Sequence, residues 1–433
     1  MMLMPVMAIQ EILDGRYKRE SVTIKGWIYR KRESKKTIFL IVRDASSIIQ
    51  CTVKRGNPSW TQAKKLTKES SVMIKGTAKQ DERATGGYEI TVEELSIIGL
   101  AETFPITKGK GEETEKFLRD NRHLWLRSRR MNLIMKVRSE VLRFIHDFFR
   151  KEGFIEVSPP MFISSACEGG ATLFGLKYFD KQLYLTQSAQ LYLEALIYSS
   201  EKVYCVAPSF RAEKSRTIRH LTEYWHVEPE WAFANMDDLM RVEGDLVSYV
   251  CQKTVRNCKS EMKRLGADAS KLKLVKTPFP KVTYTKAIEK LNEKGFKIKW
   301  GEALGFDEEK GLAEEFGRPF FIYAYPRQIQ AFYCKTYRDN PDLVMSTDML
   351  VPRIGEITTG GSREDDKDEL LKKIKEFGLR EEDYDWYIDL RRYGTVPHVG
   401  FGLGVERLLT WMLDLENIVD AIPFPRTIRR FYP

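Results

Sequence analysis

The chain has few of the residues from which metal centres and cross-linked folds are built. Its 433 residues hold six cysteines and five histidines. Cys51, Cys167, Cys205, Cys251, Cys258 and Cys334 are scattered, and no two show the two- or four-residue spacing of a zinc ribbon or redox pair. They read as reduced core thiols, and structural zinc is not expected. Long apolar runs are absent too. The opening Met1–Ala8 is apolar, but it lacks a basic start and ends too soon for a secretion signal or membrane span. The cytoplasm is therefore the expected compartment. Neither an internal repeat nor a low-complexity tract is present.

What is plentiful is length and positive charge. A chain of this size exceeds what one core usually supports, so two domains are expected. Lysine and arginine exceed aspartate and glutamate by 71 to 61, and residues 1–100 hold 18 basic against 11 acidic side chains, about +7 of the total +10. A basic amino-terminal region suits a phosphate-rich polymer, because neutralising each phosphate releases counterions. A merely soluble basic surface is the alternative.

From Ser21 to Gly99 the pattern is one of short β-rich runs: Ser21–Tyr29, Thr37–Arg43, Ile48–Val53, Ser71–Gly76 and Tyr88–Ile98. A helical stretch, Ser59–Lys68, falls between the third and fourth. That order is the order of an OB barrel, whose open face binds single-stranded nucleic acid; a small barrel without a ligand is the alternative. We expect an OB domain over 1–103, a hinge over 104–130 and a catalytic domain over 131–433. In the last, apolar spacing predicts a helix over Asn132–Lys151. Strands are expected at Phe154–Val157, Gln182–Thr186, Val203–Ser209, Tyr224–Glu228, Pro319–Ala324, Gln330–Lys335 and His398–Gly402. Helices are expected near 188–199, 236–265, 284–294, 365–377 and 404–414. The expected class is α+β, a largely antiparallel sheet with helices packed on it.

Three segments carry chemistry. In Phe210-Arg211-Ala212-Glu213, followed by a polar loop and a return through His220-Leu221 to Tyr224, a hairpin can place Arg211 on a phosphate, Glu213 on an adenine amino group, His220 near outer phosphates and the Tyr224 ring under a base. A solvated surface hairpin is the alternative. Gly400-Phe401-Gly402-Leu403-Gly404-Val405-Glu406-Arg407 is a strand-to-helix joint whose glycines admit close approach and whose Arg407 points back over it. Tight helix–strand packing explains the glycines equally well. Asp348 and Glu356 offer hard oxygens suited to Mg²⁺ shared with nucleotide phosphates.

In this order the three segments resemble the motifs of class II aminoacyl-tRNA synthetases, and Phe154–Pro160 resembles the remaining motif, which in that family lies at a homodimer interface and includes Pro160. The amino-terminal OB domain narrows the resemblance to the subclass handling aspartate, asparagine and lysine, in its compact, archaeal-like form. It implies adenylate formation from ATP with Mg²⁺, Arg211 and Arg407 as the catalytic cations, and an ATP site of Arg211, Glu213, His220, Leu221, Tyr224, Glu356, Gly404 and Arg407. The implied metal ligands are Asp348 and Glu356. For the amino acid it implies Glu168 on a mobile loop, Ser188, Gln190, Glu228, Arg363 and His398, the last read equally well as a structural histidine. In the barrel it implies Arg30, Phe39 and Gln50 on the anticodon, with Phe39 stacking and Gln50 selecting; a core ring is the alternative for Phe39.

Small differences bear on the substrate. Gln187-Ser188-Ala189-Gln190-Leu191-Tyr192-Leu193 resembles the segment that lines the amino-acid pocket, where aspartate members carry lysine at the place of Leu193. Without that cation a second carboxylate is expensive to desolvate. Glu228 stands where asparagine members have glutamate and aspartate members aspartate; a carboxylate there accepts from an amide NH₂ and repels a carboxylate. The run Glu356–Glu364 looks at least as much like an aspartate member. The implied substrates are L-asparagine and tRNA(Asn). A synthetase charging aspartate, a relative making free asparagine, and an RNA-binding protein with a silent catalytic domain are the alternatives.

Overall fold

The computed structural model describes residues 6–17, 21–106, 115–167, 172–213 and 220–433. The chain divides into two compact units, Met1–Arg119 and Asp120–Pro433.

In the first unit β1 (Ser21–Glu33), β2 (Thr37–Arg43), β3 (Ile48–Lys54), β4 (Ser71–Gln80) and β5 (Tyr88–Gly99) close a barrel in the order β1-β2-β3-β5-β4. The intervening helix is Trp60–Lys65. Period-two alternation drives the closure: Ile38, Leu40 and Val42 of β2 are fully buried, while the residues between them face outward.

The second unit is built on eight strands. They are β6 (Ile155–Glu156), β10 (Lys202–Phe210), β11 (Glu223–Ala232), β12 (Lys281–Thr283), β13 (Phe320–Pro326), β14 (Leu343–Val351), β15 (Gly355–Ser362) and β16 (His398–Gly404), in the order β12-β13-β14-β15-β16-β11-β10-β6. The six central strands are antiparallel, with a parallel strand at each edge. A small sheet of β7 (Phe162–Ile163), β8 (Gly175–Tyr178) and β9 (Lys181–Leu185) accompanies it. The helix Arg129–Lys151, capped by Ser128, and the helix Met236–Asn257, capped by Asn235, bury Val137, Val141, Phe144, Leu239, Leu246 and Val250 in one core with Val227, Ile357, Phe401 and Leu403 of the sheet. A second core gathers the helices Tyr284–Glu293, Phe306–Phe316, Lys367–Glu376 and Asp385–Arg392 near β13 and β14. All six cysteines are buried free thiols.

Two local expectations are corrected. Gln330–Lys335 is not a strand, because Phe332 and Tyr333 are buried in the second core and only Cys334 makes a single bridge, to Arg363. The helix expected over 236–265 breaks at Cys258 into Met236–Asn257 and Lys259–Leu265. The helices Phe306–Phe316 and Asp385–Arg392 had no counterpart in the sequence reading. Within the stretch read as a hinge, Arg122 is buried and donates to the carbonyls of Val419, Ile422 and Pro423.

One buried acid sits under the sheet. Glu243, on the helix Met236–Asn257, is fully buried beside Thr358 of β15, and burial pushes its carboxyl up to about 8, with Thr358 opposing and Asp348 adding to the shift. A carboxyl whose folded pKa is raised stays protonated in the fold after it ionises in the unfolded chain. Stability therefore falls, by about 1.4 kcal/mol per pH unit, as pH climbs from the ordinary carboxylate range to about 8. Glu243→Gln does not titrate. Its stability relative to the parent should rise between pH 5 and pH 8 and level off above, as read by urea unfolding across pH; a difference independent of pH contradicts this.

Candidate active site

β11 is the spine of the site. Its alternation turns Tyr224, His226, Glu228 and Glu230 to one face, where all four line a cavity of about 530 Å³, while Val227 and Trp231 enter the core behind. The neighbouring β16 makes room for them. A Cβ added at Gly400 would lie 2.0 Å from Glu230 Oε1, and one at Gly402 would lie 2.3 Å from His226 Nε2. The carboxylate and the imidazole thus lie across bare backbone. This is the close approach that the glycines of the joint permit.

At the amino-acid end, Arg363 follows β15 directly. Its Nε donates to both Glu230 oxygens at 3.1 and 3.3 Å, its Nη2 also donates to Oε1, and both residues are buried. Burial and the charges of Glu194 and Glu228 work to raise the Glu230 carboxyl, and the Arg363 guanidinium held against it at two points works to keep it ionised. Burial would lower Arg363, but Glu230 raises it further above its ordinary value. The two-point geometry fixes the pair. Glu228, also buried, accepts from the Ala189 N–H at 3.1 and 3.0 Å and from the Ser188 hydroxyl. Burial raises its pKa while those donors pull it back. Ser188, Gln190, Glu228 and Arg363 all line the cavity.

At the other end the same cavity is lined by Arg211, Glu213, His220, Leu221, Glu356, Gly404 and Arg407. The Arg211 guanidinium stands 5.8 Å from the Tyr224 ring centre. Arg407 Nη1 donates to the Glu356 carbonyl at 3.1 Å and to its carboxylate at 2.8 Å. Glu406 fastens the helix start to β11 by accepting from the Trp225 N–H at 3.0 Å, and it pairs with Arg138 at 2.7 Å. A smaller cavity of about 190 Å³ is lined by Glu309, Asp348 and Glu356. Glu309 accepts from the Glu356 N–H at 2.9 Å. Burial, then the Glu356 charge, pushes Asp348 up to about 8; Tyr325 and Thr359 oppose this and Glu309 adds to it.

Comparison with known proteins agrees with this geometry. Residues 114–428 match the model of tRNA synthetases class II (D, K and N), and residues 22–98 match that of the OB-fold nucleic acid binding domain. The chain belongs to the class II tRNA synthetases of the aspartate, lysine and asparagine group. It is 49% identical to the asparagine--tRNA ligase of Pyrococcus horikoshii over 97% of each chain, and 45% identical to that of Thermoplasma acidophilum over 99% of this chain and all of the relative. The crystal structure of asparaginyl-tRNA synthetase from Pyrococcus horikoshii complexed with asparaginyl-adenylate matches with a TM-score of 0.96 at 47% identity, covering 100% of both chains.

Not every expected residue of this synthetase meets the cavity. His398 is buried behind it, Nδ1 at 2.7 Å from the Val396 carbonyl and Nε2 at 2.9 Å from Glu194. Leu193 does not line the pocket. It is fully buried in a small core with Ala189, Ile197, Val203 and Cys205, because it lies on the inner side of the helix Gln190–Ser200. Glu168 lies outside the described residues. Conversely, Glu230, His226, Tyr333 and Glu309 were not singled out from sequence. The two on β11 were within reach, since each stands two residues from Glu228 on the same strand face.

In the barrel, Ile41 of β2 pairs with Arg30 of β1 and Gln50 of β3, and Phe39 pairs with Arg32 and Thr52. Phe39 is half-buried on the outer face, between the fully buried Ile38 and Leu40. Gln50 Nε2 donates to Glu89 at 2.7 Å.

The glycine contacts make a contrast that stability measurements can read. Gly400→Ala should cost about 1–3 kcal/mol, as overpacking against the Glu230–Arg363 pair. Gly404→Ala, whose Cβ meets nothing nearer than Arg407 at 3.8 Å, should cost less than about 1 kcal/mol. Equal losses in chemical denaturation would contradict the close-approach reading.

Proposed function

We propose that this synthetase activates L-asparagine with ATP and transfers it to the 3′ end of tRNA(Asn). The observation that carries the reading is Glu228, a buried carboxylate anchored by Ser188 and Ala189 in the same cavity as the neutralised Arg363. An amide side chain satisfies both: its NH₂ donates to Glu228 and its oxygen accepts from Arg363. A carboxylate side chain offers Glu228 no donor and adds a like charge. The adenylate-bound relative supports the same assignment.

The reaction needs no protein base, since the attacking α-carboxylate is already ionised. Its oxygen bonds to the α-phosphorus of ATP as the bond to the β-phosphate bridging oxygen breaks, and pyrophosphate leaves. The protein's contribution is alignment and charge. Arg211 holds the α-phosphate, Arg407 the γ-phosphate, Glu213 the adenine amino group and His220 the outer phosphates, with adenine between Tyr224 and Arg407 and the Leu221 and Gly404 backbones beside the nucleotide. Ser188, Gln190 and Glu168 hold the α-ammonium. In the second step the terminal ribose hydroxyl of tRNA attacks the activated carbonyl and AMP departs.

Mg²⁺ fits the chain's own residues. Glu309, Asp348 and Glu356 line one small cavity, and burial, with the charges of Glu356 and Glu309 adding to it, raises the Asp348 carboxyl. Asp348 and Glu356 would hold a hard divalent cation there, and the ion would offset their mutual repulsion. When bound, the ion neutralises charge on the leaving pyrophosphate.

Outside the catalytic cavity, we assign Phe39 to stack on the middle anticodon base, Gln50 to read it and Arg30 to hold the adjoining phosphate, as their outward-facing positions on β1, β2 and β3 support. Exposed Ile155, Met161 and Phe162 around Pro160 support a homodimer through this segment. Among the described residues no helix is long and apolar enough to cross a membrane; we place the protein in the cytoplasm.

The deciding assay is amino-acid-dependent pyrophosphate exchange. Asparagine should support it and aspartate should not, and tRNA(Asn) should then be charged with asparagine. Arg211→Ala should abolish exchange while leaving the fold intact by circular dichroism. Exchange driven chiefly by aspartate would refute the substrate assignment, and near-normal exchange by Arg211→Ala would refute the site.

A further inference from the structure

Directly behind the amino-acid pocket lies a closed set of charged groups that the reaction does not use. Glu194 has no exposed surface. Its Oε2 receives Arg391 Nη2 at 2.6 Å, Tyr387 Oη at 2.7 Å and His398 Nε2 at 2.9 Å. Its other oxygen receives Gln190 Nε2 at 3.0 Å, and Gln190 lines the cavity. Arg391 also donates through Nε to the carbonyl of Glu364, the residue after Arg363. Its Nη1 is buried and makes no hydrogen bond to the described protein groups.

We propose that Glu194 is a specificity-determining residue for the amino acid, because it absorbs the positive charge of Arg391 that would otherwise welcome a substrate carboxylate. This rests on the asparagine reading above. Arg363 is already paired with Glu230, and the buried Arg391 behind the Gln190 wall of the pocket is paired with Glu194. In a buried site an uncompensated guanidinium acts over several ångströms with little screening. The carboxyl of Glu194 is suited to the task. Burial alone would raise its pKa, but Arg391 and His398 overcome that and hold it well below the usual carboxylate range. Through Gln190 the same carboxylate sets an amide: with Nε2 donating to Glu194, the Gln190 carbonyl is left for the pocket, an acceptor suited to ammonium. Glu194 is thus a positioning residue that touches no substrate atom.

The test compares kcat/KM for asparagine and aspartate in pyrophosphate exchange, with aspartate also measured as a competitive inhibitor of asparagine exchange. Glu194→Gln should raise relative preference for aspartate at least tenfold and tighten its inhibition constant similarly. Glu194→Asp, which keeps the charge, should stay near the parent. Glu194→Gln combined with Arg391→Gln, which restores neutrality, should return the ratio toward the parent value. Arg391→Gln alone should move the ratio the opposite way and weaken inhibition by aspartate, and it decides the matter if Glu194→Gln fails to fold. An equal loss for both amino acids, with an unchanged ratio, would overturn the proposal and leave Glu194 a purely structural residue. A parent enzyme that already prefers aspartate would instead overturn the asparagine reading, and that result shows before any variant is made.

Discussion

The site depends on one constraint: two strands approach closely because β16 has no side chains where β11 has large polar ones. Glu230 and His226 occupy the space over Gly400 and Gly402, and only with Glu230 seated there can Arg363 be met at two points. A buried guanidinium without that partner would be strongly unfavourable. With the partner, it becomes a fixed donor whose charge is already spent. The amino-acid end of the cavity can therefore be polar, buried and ordered together.

Charge is distributed along the cavity in a way that suits two different tasks. At the amino-acid end each cation has a near carboxylate: Arg363 has Glu230, and Arg391 has Glu194. The smaller cavity gathers three carboxylates, Glu309, Asp348 and Glu356, and Arg407 is hydrogen-bonded to the last of them. The first arrangement favours an uncharged side chain, and the second concentrates negative charge beside the nucleotide end of the cavity. Glu230, Asp348 and Glu356 stand on strands of the one sheet, and Glu194, Arg391, Glu309 and Arg407 reach them from helices packed on it.

Much of this was legible from the sequence because the features were local. The two-residue period in β2 separates Phe39 from the barrel core, and the glycine run of β16 signals close approach. The segment after Arg211 reads as a hairpin because β10 and β11 pair residue for residue from Lys202 and Trp231 to Phe210 and Glu223. What was hidden is non-local. Glu194 meets Tyr387, Arg391 and His398 across 193, 197 and 204 positions of chain, and no periodicity brings such residues to notice. Gln330–Lys335 misled for another reason: an apolar run that could pair in a sheet is instead buried among helices, and only tertiary packing decides between those outcomes. Leu193 shows a related limit, since its place in the pocket sequence gave no sign that it faces the opposite core.

The alternation of β11 has a genetic corollary. Tyr224, His226, Glu228 and Glu230 share a face only because their positions differ by even numbers. An in-frame loss or gain of one codon between Tyr224 and Glu230 would send part of this set into the core and turn Val227 or Trp231 toward the substrate. Single-base changes alter one contact at a time, whereas a three-base deletion here would invert a surface. Within this strand, spacing should therefore be held more strictly than residue identity.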